Sequence, residues 1–260
     1  MRILYPSDPS NAKAPDDLFA DEYNTASSMG LPTSLFSFED LAAGEFRARP
    51  LFAAGEQILY RGWMLAAQQY PTLANAIRAR GARPFTEPEQ YTLCHHLPNW
   101  YPLLSELTPP TRVFAQGDDY ATALRDSGWP GYFIKDFVKS LTTTRGSLVD
   151  TPEEIGDIVA QIERFRGGIE GGVCVRRRED FVLGTEQRFF VLNGKPFGGD
   201  DKAIPAAVSV AAQRVASPFF SVDVAERSDG TLRIIELGDG QVSDRKHWPT
   251  ARFVQMLAGI

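Results

Sequence analysis

The stretch FFSVDVAERSDGTLRIIEL, residues 219–237, decides the expected fold and the position of its site. Two runs rich in apolar residues flank Asp229-Gly230, a dipeptide that favours a two-residue β-hairpin turn. Asp223 lies six residues before Asp229, and Glu236 lies six residues after Gly230. A symmetric register therefore predicts that Asp223 and Glu236 lie directly opposite each other on neighbouring antiparallel strands.

This predicted pair of carboxylates has two interpretations. Like charges whose β-carbons are about 5 Å apart repel each other, so the pair is either hydrated at a solvent-facing edge or bridged by a cation. Oxygen ligands of this kind suit Mg2+ that carries the phosphates of a nucleotide. The chain then enters the Gly-rich turn LGDGQ, where Asp239 adds a third carboxylate, and loops at strand ends are common positions for sites. We therefore predict a metal–nucleotide site.

The composition is that of an ordinary globular protein. The chain has 260 residues, of which 43% are hydrophobic and 23% are charged, enough for one large domain or two small ones. The net charge of -6 and the isoelectric point near 5.2 argue against nucleic acid as a partner, a local basic groove aside. Cys94 and Cys174 lie far apart without a metal-ligand spacing, which favours reduced thiols in a cytoplasm. No apolar run approaches the roughly 20 residues that cross a bilayer, so we expect a cytoplasmic protein without a membrane segment.

The first part of the chain alternates between strands and helices, which is typical of an α/β domain. The elements predicted there are strands at 2–5 and 57–60, helices at 38–43 and 72–80, and a helix toward Leu97 that begins at the capping box Thr86-Glu-Pro-Glu89. Pro109-Pro110 is a stiff break. We therefore expect an N-terminal domain of residues 1–110 and a second region of residues 111–260.

The second region changes from alternation to hairpins. Its predicted elements are strands at 112–115, 131–138 and 173–177, helices at 119–126, 151–167 and 203–215, and hairpin turns at Asn193-Gly194 and Asp229-Gly230. The pattern favours α+β with antiparallel strands. The fold class expected for the whole chain is therefore α/β plus α+β.

Two lysines in the segment FIKDFVK, residues 133–139, are candidates for phosphate binding. Lys135 and Lys139 share a face if one strand runs through both, and a lysine on an apolar strand is costly to bury unless it meets an anion. The alternative is that both project from a strand end into water. The hydroxyl-rich run TTTRGS at 142–147 follows and has the composition of a loop that folds over phosphates.

Three further short segments contain candidate residues, Glu186-Gln-Arg188, Lys246-His247-Trp248 and His95-His96. Arg188, in Glu186-Gln-Arg188 at the start of a strand, presents a planar fork to phosphate or carboxylate or forms an ordinary ion pair with an acidic neighbour. The run Lys246-His247-Trp248 either lines an acceptor pocket or begins a C-terminal helix that packs Trp248. Adjacent histidines His95 and His96 point to different sides of a helix, so we expect one in the core and one at the surface.

The lysine segment at 133–139, the hydroxyl-rich run, the strand with Arg188 and the paired carboxylates follow each other along the chain in an order that resembles the ATP-grasp superfamily of carboxylate–amine ligases. The resemblance covers residues 131–243, and the first 110 residues are more loosely similar to the Rossmann-like pre-ATP-grasp domain of such enzymes. The strings YRGWML, PFTEPEQYTLCHHLPNWYP, FIKDFVKS and ELGDGQVS look like the bacterial and phage-associated clade named for one arginine and two lysines. The resemblance implies an ATP-grasp fold with ATP and Mg2+ as cofactors.

The resemblance also implies a role for each matching residue. Lys135 and Lys139 contact the ATP phosphates, and Arg188 stabilises the transferred phosphoryl group. Arg61 faces the substrate carboxylate or the phosphate. The remaining implied residues are Asp223 and Glu236 as Mg2+ ligands with Asp239 or water as the third, a hinge strand whose backbone reads adenine at Val173, Cys174, Val175 and Arg176, and Glu179 as a ribose partner.

Two positions depart from the family pattern. Gly238 stands where many members carry an asparagine two residues after the metal-binding glutamate. Cys94-His95-His96 stands where many carry an additional nucleotide-binding lysine, so Lys139 is expected to compensate from another direction.

The function implied is an ATP- and Mg2+-dependent ligase that joins a small carboxylate, amino acid or peptide-like, to an amine through an acyl phosphate. The alternatives are a nucleotide-binding module without ligation and a phosphotransferase that stops at a phosphorylated product. The expected partners are small-molecule carboxylate and amine substrates, with a homodimer left open as the assembly.

Overall fold

The computed structural model describes residues 1–140 and 146–259. The predicted phosphate-covering run at 142–147 therefore lies outside the described residues, apart from Gly146 and Ser147. The described residues form three β-sheets. No helix among them combines the length and apolar character needed to span a bilayer.

The N-terminal part folds into a mostly parallel sheet with helices beside it. Its elements are β1 (Arg2–Asp8), β2 (Asn11–Pro15), α1 (Asp17–Ser28), β3 (Thr33–Phe36), α2 (Phe38–Ala42), β4 (Gln57–Tyr60), α3 (Tyr70–Ala79) and β5 (Arg83–Pro84). Strands β3, β1, β4 and β5 are parallel neighbours in that order, and β2 pairs with β1 in the antiparallel sense. The predicted α/β start is confirmed.

Although Phe19, Tyr23 and Ala26 follow at helical spacing and pack against a core of the protein, the sequence prediction missed the helix that carries them, α1. Its buried residues are Glu22 and Ala26, and Glu22 is buried because it pairs with Arg61 from β4's far end. The predicted start of the helix toward Leu97 was wrong by one residue. Glu87, not Thr86, is the N-cap, and its backbone N–H donates to the Gln90 side chain at 2.9 Å.

The middle of the chain forms an antiparallel sheet. Its elements are α4 (Pro88–His95), α5 (Leu97–Leu104), a 3-10 helix (Ser105–Leu107), β6 (Thr111–Phe114), α6 (Tyr120–Leu124), β7 (Tyr132–Asp136), β8 (Leu148–Val149), a 3-10 helix (Pro152–Glu154), α7 (Ile155–Arg166) and β9 (Val173–Arg177). The strand order is β6-β9-β7-β8. The capping box predicted at Thr151 is present, since its backbone N–H donates to Glu154 at 3.1 Å.

The third sheet is also antiparallel and lies between two cores. Its elements are β10 (Gln187–Leu192), β11 (Lys195–Gly198), α8 (Ala206–Arg214), β12 (Phe219–Glu226), β13 (Leu232–Asp239) and α9 (Thr250–Ala258), with strand order β11-β10-β12-β13. One face packs Val191 and Val222 against α4, α5 and α8. The other face packs Phe190 and Phe219 against α9 and the N-terminal sheet.

The β12–β13 hairpin has the predicted pairing of Asp223 with Glu236, but its loop and register differ from the predicted ones. Arg227 N–H donates to the Thr231 carbonyl at 2.9 Å, so the loop has three residues and ends at Gly230 with φ +81°, and the predicted two-residue turn was wrong. The extra loop residue shifts the register by one, and a β-bulge at Ile235 shifts it back. Asp223 and Glu236 are therefore partners.

The hydrophobic cores cross residue 110 in both directions. Cys94, Leu97 and Trp100 precede it but pack with the third sheet. Phe253 of α9 follows it but packs with Tyr5 and other residues of the N-terminal sheet. The division at residue 110 stays a prediction.

Candidate active site

Three charged side chains form a row across the third sheet. Arg188 is the register partner of Asp223, and Asp223 is the partner of Glu236, so the three side chains share one face. Arg188 donates to the two carboxylate oxygens of Asp223 at 2.8 and 2.7 Å, and also to the side chain of Asp244 at 3.2 Å. The bidentate pair places a guanidinium and a carboxylate beside the half-exposed Glu236.

Lys135 joins this row from the second sheet. Its Nζ lies 3.3 Å from Glu236 Oε1, and the residue is only 5% exposed, whereas 44% of the Glu236 side chain is exposed. The anion beside the buried Lys135 ammonium in this structure is the Glu236 carboxylate, and the contact of Lys135 with phosphate stays a prediction.

Lys139 does not lie on the same strand as Lys135. Strand β7 ends at Asp136, whose carboxylate accepts hydrogen bonds from the backbone N–H groups of Val138 and Lys139 at 2.7 and 2.6 Å. The chain therefore turns before Lys139, which is exposed. One strand does not run through both lysines, so the condition for a shared face is not met, and the strand predicted at 131–138 ends two residues earlier than expected, at Asp136.

Two cavities meet at Glu236 and Ser140, which line both. The larger, of about 570 Å3, is lined by Lys135, by the chain that leaves β9 and by apolar side chains, among them Phe133, Leu148, Phe181 and Ile235. The smaller, of about 370 Å3, is lined by Lys139, Arg188, His95 and Asp244 with Met64, Val138 and Val242. Both volumes are typical of small-molecule sites.

The predicted hinge reaches the larger cavity only at its end. Strand β9 is paired on both edges, with β6 and β7, and Val173, Cys174 and Val175 are fully buried and do not line the cavity. Arg176 and the segment 177–181 line it. The binding of adenine by this strand stays a prediction.

Arg176 and Glu179 both line the larger cavity, and their side chains contact other residues of the protein. Arg176 donates to the Ile235 carbonyl at 2.6 Å, and burial lowers the pKa of its guanidinium to about 10. The Glu179 carboxylate lies 2.7 Å from Arg177, 3.1 Å from Arg233 and 3.6 Å from the third arginine, Arg227. The ribose role of Glu179 stays a prediction.

Arg61 does not face either cavity. It is 2% exposed, and it donates to the Glu22 carboxylate at 2.7 and 2.9 Å and to the carbonyls of Gly240 and Ser243 at 2.6 and 3.0 Å. The predicted substrate contact is therefore corrected to a structural one. The buried pair with Glu22 holds the loop after β13 against the N-terminal sheet.

Asp239 is not brought together with Asp223 and Glu236. It is the register partner of Phe220, on the opposite face of the sheet, and its Oδ1 accepts hydrogen bonds from the Gln241 backbone and side chain at 3.0 and 3.1 Å. Burial raises the pKa of Asp239 to about 7. Residues 1–140 and 146–259 contain no group of three or more His, Cys, Asp or Glu side chains that could hold a metal ion.

An asparagine at position 238, as in the family pattern, would require two serine side chains to move. A Cβ there would lie 2.8 Å from Ser243 Oγ and 3.0 Å from Ser221 Oγ. The two serines, 2.8 Å apart at their Oγ atoms, fill that space. The donor set available to a metal is thus Asp223 and Glu236, and this fits Mg2+, which binds through one or two carboxylates plus substrate phosphates.

His95 is the core histidine, and His96 is only partly exposed. The His95 Nδ1 accepts from the backbone N–H of Asp239 at 3.3 Å, its ring stacks on Tyr91 at 4.6 Å, and burial lowers its pKa to about 4. His96 pairs with Glu170 at 3.4 Å instead of facing bulk water.

Asp239 and His95 are expected to affect stability in opposite directions below neutral pH. Folded Asp239 keeps a proton that the unfolded chain releases above 3.8, so its contribution falls as pH rises toward 7. Unfolded His95 binds a proton below 6.5 that the folded chain rejects down to about 4, so its contribution rises with pH. Relative to the parent chain, the melting temperature of Asp239→Asn should rise from pH 4.5 to 6.5, and that of His95→Gln should fall. The prediction would be contradicted if the melting temperatures of both variants, relative to the parent chain, changed in the same direction between pH 4.5 and 6.5.

A lysine from one antiparallel sheet facing paired acids on a second, with a nucleotide-sized cavity between them, defines the class of ATP-grasp enzymes. The family model described as ATP-grasp domain, R2K clade family 3, matches residues 119–257, and the chain belongs to this family. Membership confirms the predicted ATP-grasp fold, the class of ATP-dependent amide-forming ligases and the use of ATP with Mg2+.

Solved structures with the same fold cover nearly the whole chain. D-cycloserine synthetase DcsG is 14% identical with a TM-score of 0.64, over 100% of this chain and 99% of that one. Macrocyclase MdnC from Microcystis aeruginosa, bound with precursor peptide MdnA, is 11% identical with a TM-score of 0.63, over 100% of both chains. ATP-grasp ligase PsnB, complexed with minimal precursor, Mg and ADP, is 12% identical with a TM-score of 0.62, over 99% and 97%. No curated protein matches the sequence significantly.

Proposed function

We propose that this ligase joins a small carboxylate, amino acid or peptide-like, to an amine through an acyl phosphate. The observation that carries the proposal is the junction of two cavities at Glu236, one with a largely apolar surface and one lined by charges of both signs. ATP fits the first, with its adenine among the apolar side chains. The reacting carboxylate fits the second, so the γ-phosphate and the carboxylate meet beside the charged row.

The charged row supplies the binding and electrostatic stabilisation that phosphoryl transfer needs. Lys135, buried beside Glu236, contacts the phosphates from the side of the second sheet. Arg188 and Lys139, which line the smaller cavity, stabilise the carboxylate and the phosphoryl group that it receives. ATP supplies a phosphate leaving group, which a free carboxylate lacks, so that an amine can then displace it.

Asp223 and Glu236 are the proposed Mg2+ ligands. They are cross-strand partners on one face, and phosphate oxygens and water complete the coordination of such an ion. Asp239 has no place in this set, since it lies on the other face.

The smaller cavity favours a compact substrate with charges of both signs. Its lining combines Lys139 and Arg188 with Glu236 and Asp244 within about 370 Å3, which suits an amino acid or a short peptide end. Among the proteins of similar fold, one is named a D-cycloserine synthetase and another a macrocyclase bound with a precursor peptide. The proposed location is cytoplasmic, and a homodimer stays a prediction.

The test is a screen of ADP release with amino acids, dipeptides and polyamines, using Glu236→Gln as the blank. ADP release that requires both a carboxylate and an amine supports the ligase. ATP binding without turnover in any mixture would instead favour a nucleotide-binding module. A phosphorylated product without an amide would favour a phosphotransferase.

A further inference from the structure

Lys246 lies directly on the carboxylate that is proposed to hold the metal. Its Nζ donates to Asp223 Oδ2 at 3.0 Å and to Glu186, and its side chain is 27% exposed. The side chain is therefore a charged ammonium between two acids.

The loop that carries Lys246 has an unusual backbone conformation. Lys246 has φ +46°, in the left-handed region that side chains other than glycine rarely adopt. Its N–H donates to Asp244 Oδ1 at 2.8 Å, and Arg188 donates to the Asp244 carbonyl at 3.0 Å. The loop is thus tied to the same arginine that pairs with Asp223, and this tie orients the Lys246 side chain.

Asp223 consequently has two cations and almost no contact with water. It is 1% exposed, Arg188 is bound to both its oxygens, and Oδ2 accepts from Lys246 as well. A divalent ion approaching Asp223 meets an oxygen that is already neutralised and a neighbouring positive charge that repels it. One of these cations must move for the metal to bind, and Lys246 has the single-atom contact and the greater exposure.

We propose that Lys246 is the counter-ion of Asp223 before ligands bind. When metal and nucleotide bind together, the Lys246 ammonium leaves the Asp223 carboxylate and contacts a phosphate oxygen instead. The proposal rests on the proposed metal role of Asp223. It makes metal binding dependent on the nucleotide, because the displaced ammonium keeps Glu186 but loses Asp223, and a phosphate oxygen replaces the lost anion. Lys246 thus helps to position the nucleotide, and it weakens the binding of metal in the absence of nucleotide.

Binding of Mn2+ to the full chain, followed by electron paramagnetic resonance with and without ADP, tests the proposal. Lys246→Met should bind Mn2+ alone about tenfold more tightly than the parent chain and ADP in the presence of Mn2+ about tenfold more weakly. Lys246→Gly should do the same, and its backbone suits φ +46°, which guards against misfolding. Lys246→Arg keeps the charge and should bind Mn2+ alone as weakly as the parent.

Lys202→Met is the matched control, since it also removes one ammonium but from a side chain that is 75% exposed and pairs with Asp200. Equal Mn2+ and ADP affinities for the Lys246 variants and Lys202→Met would overturn the proposal. Asp223→Asn separates this failure from a failure of the proposed metal site. If Asp223→Asn keeps the parent's affinity for Mn2+ in the presence of ADP, the proposed metal site is wrong. If Asp223→Asn loses that affinity, the metal site stands and only the proposed role of Lys246 is wrong.

Discussion

Replacing Glu236 with glutamine is expected to lower the turnover number at least about 100-fold, because it removes a charged group from the point where both cavities meet. A neutral amide is a poor Mg2+ ligand, yet its oxygen can still accept the hydrogen bond from Lys135 that Glu236 accepts at 3.3 Å. The side chain is 44% exposed, but it supplies the negative charge beside the buried Lys135 ammonium, so the free energy of unfolding should fall by about 1–3 kcal/mol with the fold retained.

Asp229→Asn is the matched control for this substitution. Asp229 lies at the tip of the same hairpin, with half of its side chain exposed, and its replacement removes the same charge away from the row. Turnover should stay within about twofold of the parent chain. An unchanged turnover number in Glu236→Gln, measured by steady-state ADP release, would remove Glu236 from the site.

Replacing Arg61 with methionine is expected to destabilise the fold by about 3–5 kcal/mol, the usual effect of removing one partner of a buried ion pair. Glu22 would be left charged and 3% exposed, and the carbonyls of Gly240 and Ser243 would each lose a donor. Denaturant unfolding measures the change.

Two further variants show whether this loss comes from the broken pair. Arg47→Met removes a surface arginine that lies 3.6 Å from Glu45 and is 65% exposed, and it should change stability by less than about 0.5 kcal/mol. Adding Glu22→Met to Arg61→Met should recover much of the loss, since no charge is then buried alone. If Arg61→Met instead raises the KM for the carboxylate at unchanged stability, the substrate contact inferred from the sequence is right after all.

The pairing of Asp223 with Glu236 could be predicted because it depends on residues close in sequence. Alternating apolar residues and a Gly-containing turn define the hairpin, although the loop and the bulge each differ from the prediction by one residue and cancel. The same local signals gave the hairpin at Asn193-Gly194, where both residues have positive φ. The resemblance in short strings then gave the family.

The partners of charged residues could not be predicted where they lie far away in sequence. Arg61 pairs with Glu22, 39 residues before it, and Lys135 with Glu236, 101 residues after it. The contact of Lys246 with Asp223 was not predicted because nothing near Lys246 in the sequence marks Asp223 as its partner.

By itself, the sequence determined the strands, most helices, the antiparallel second region and the facing carboxylates, because periodicity, caps and turns are set by residues within a few positions of each other. Only the tertiary structure decided which charged groups are free for a ligand and which are used internally. The resemblance implied functional roles for Arg61 and Asp239, and the fold buries both. A charge buried in a protein must find a partner, and that partner is selected by the packing of sheets and helices that are remote from each other along the chain.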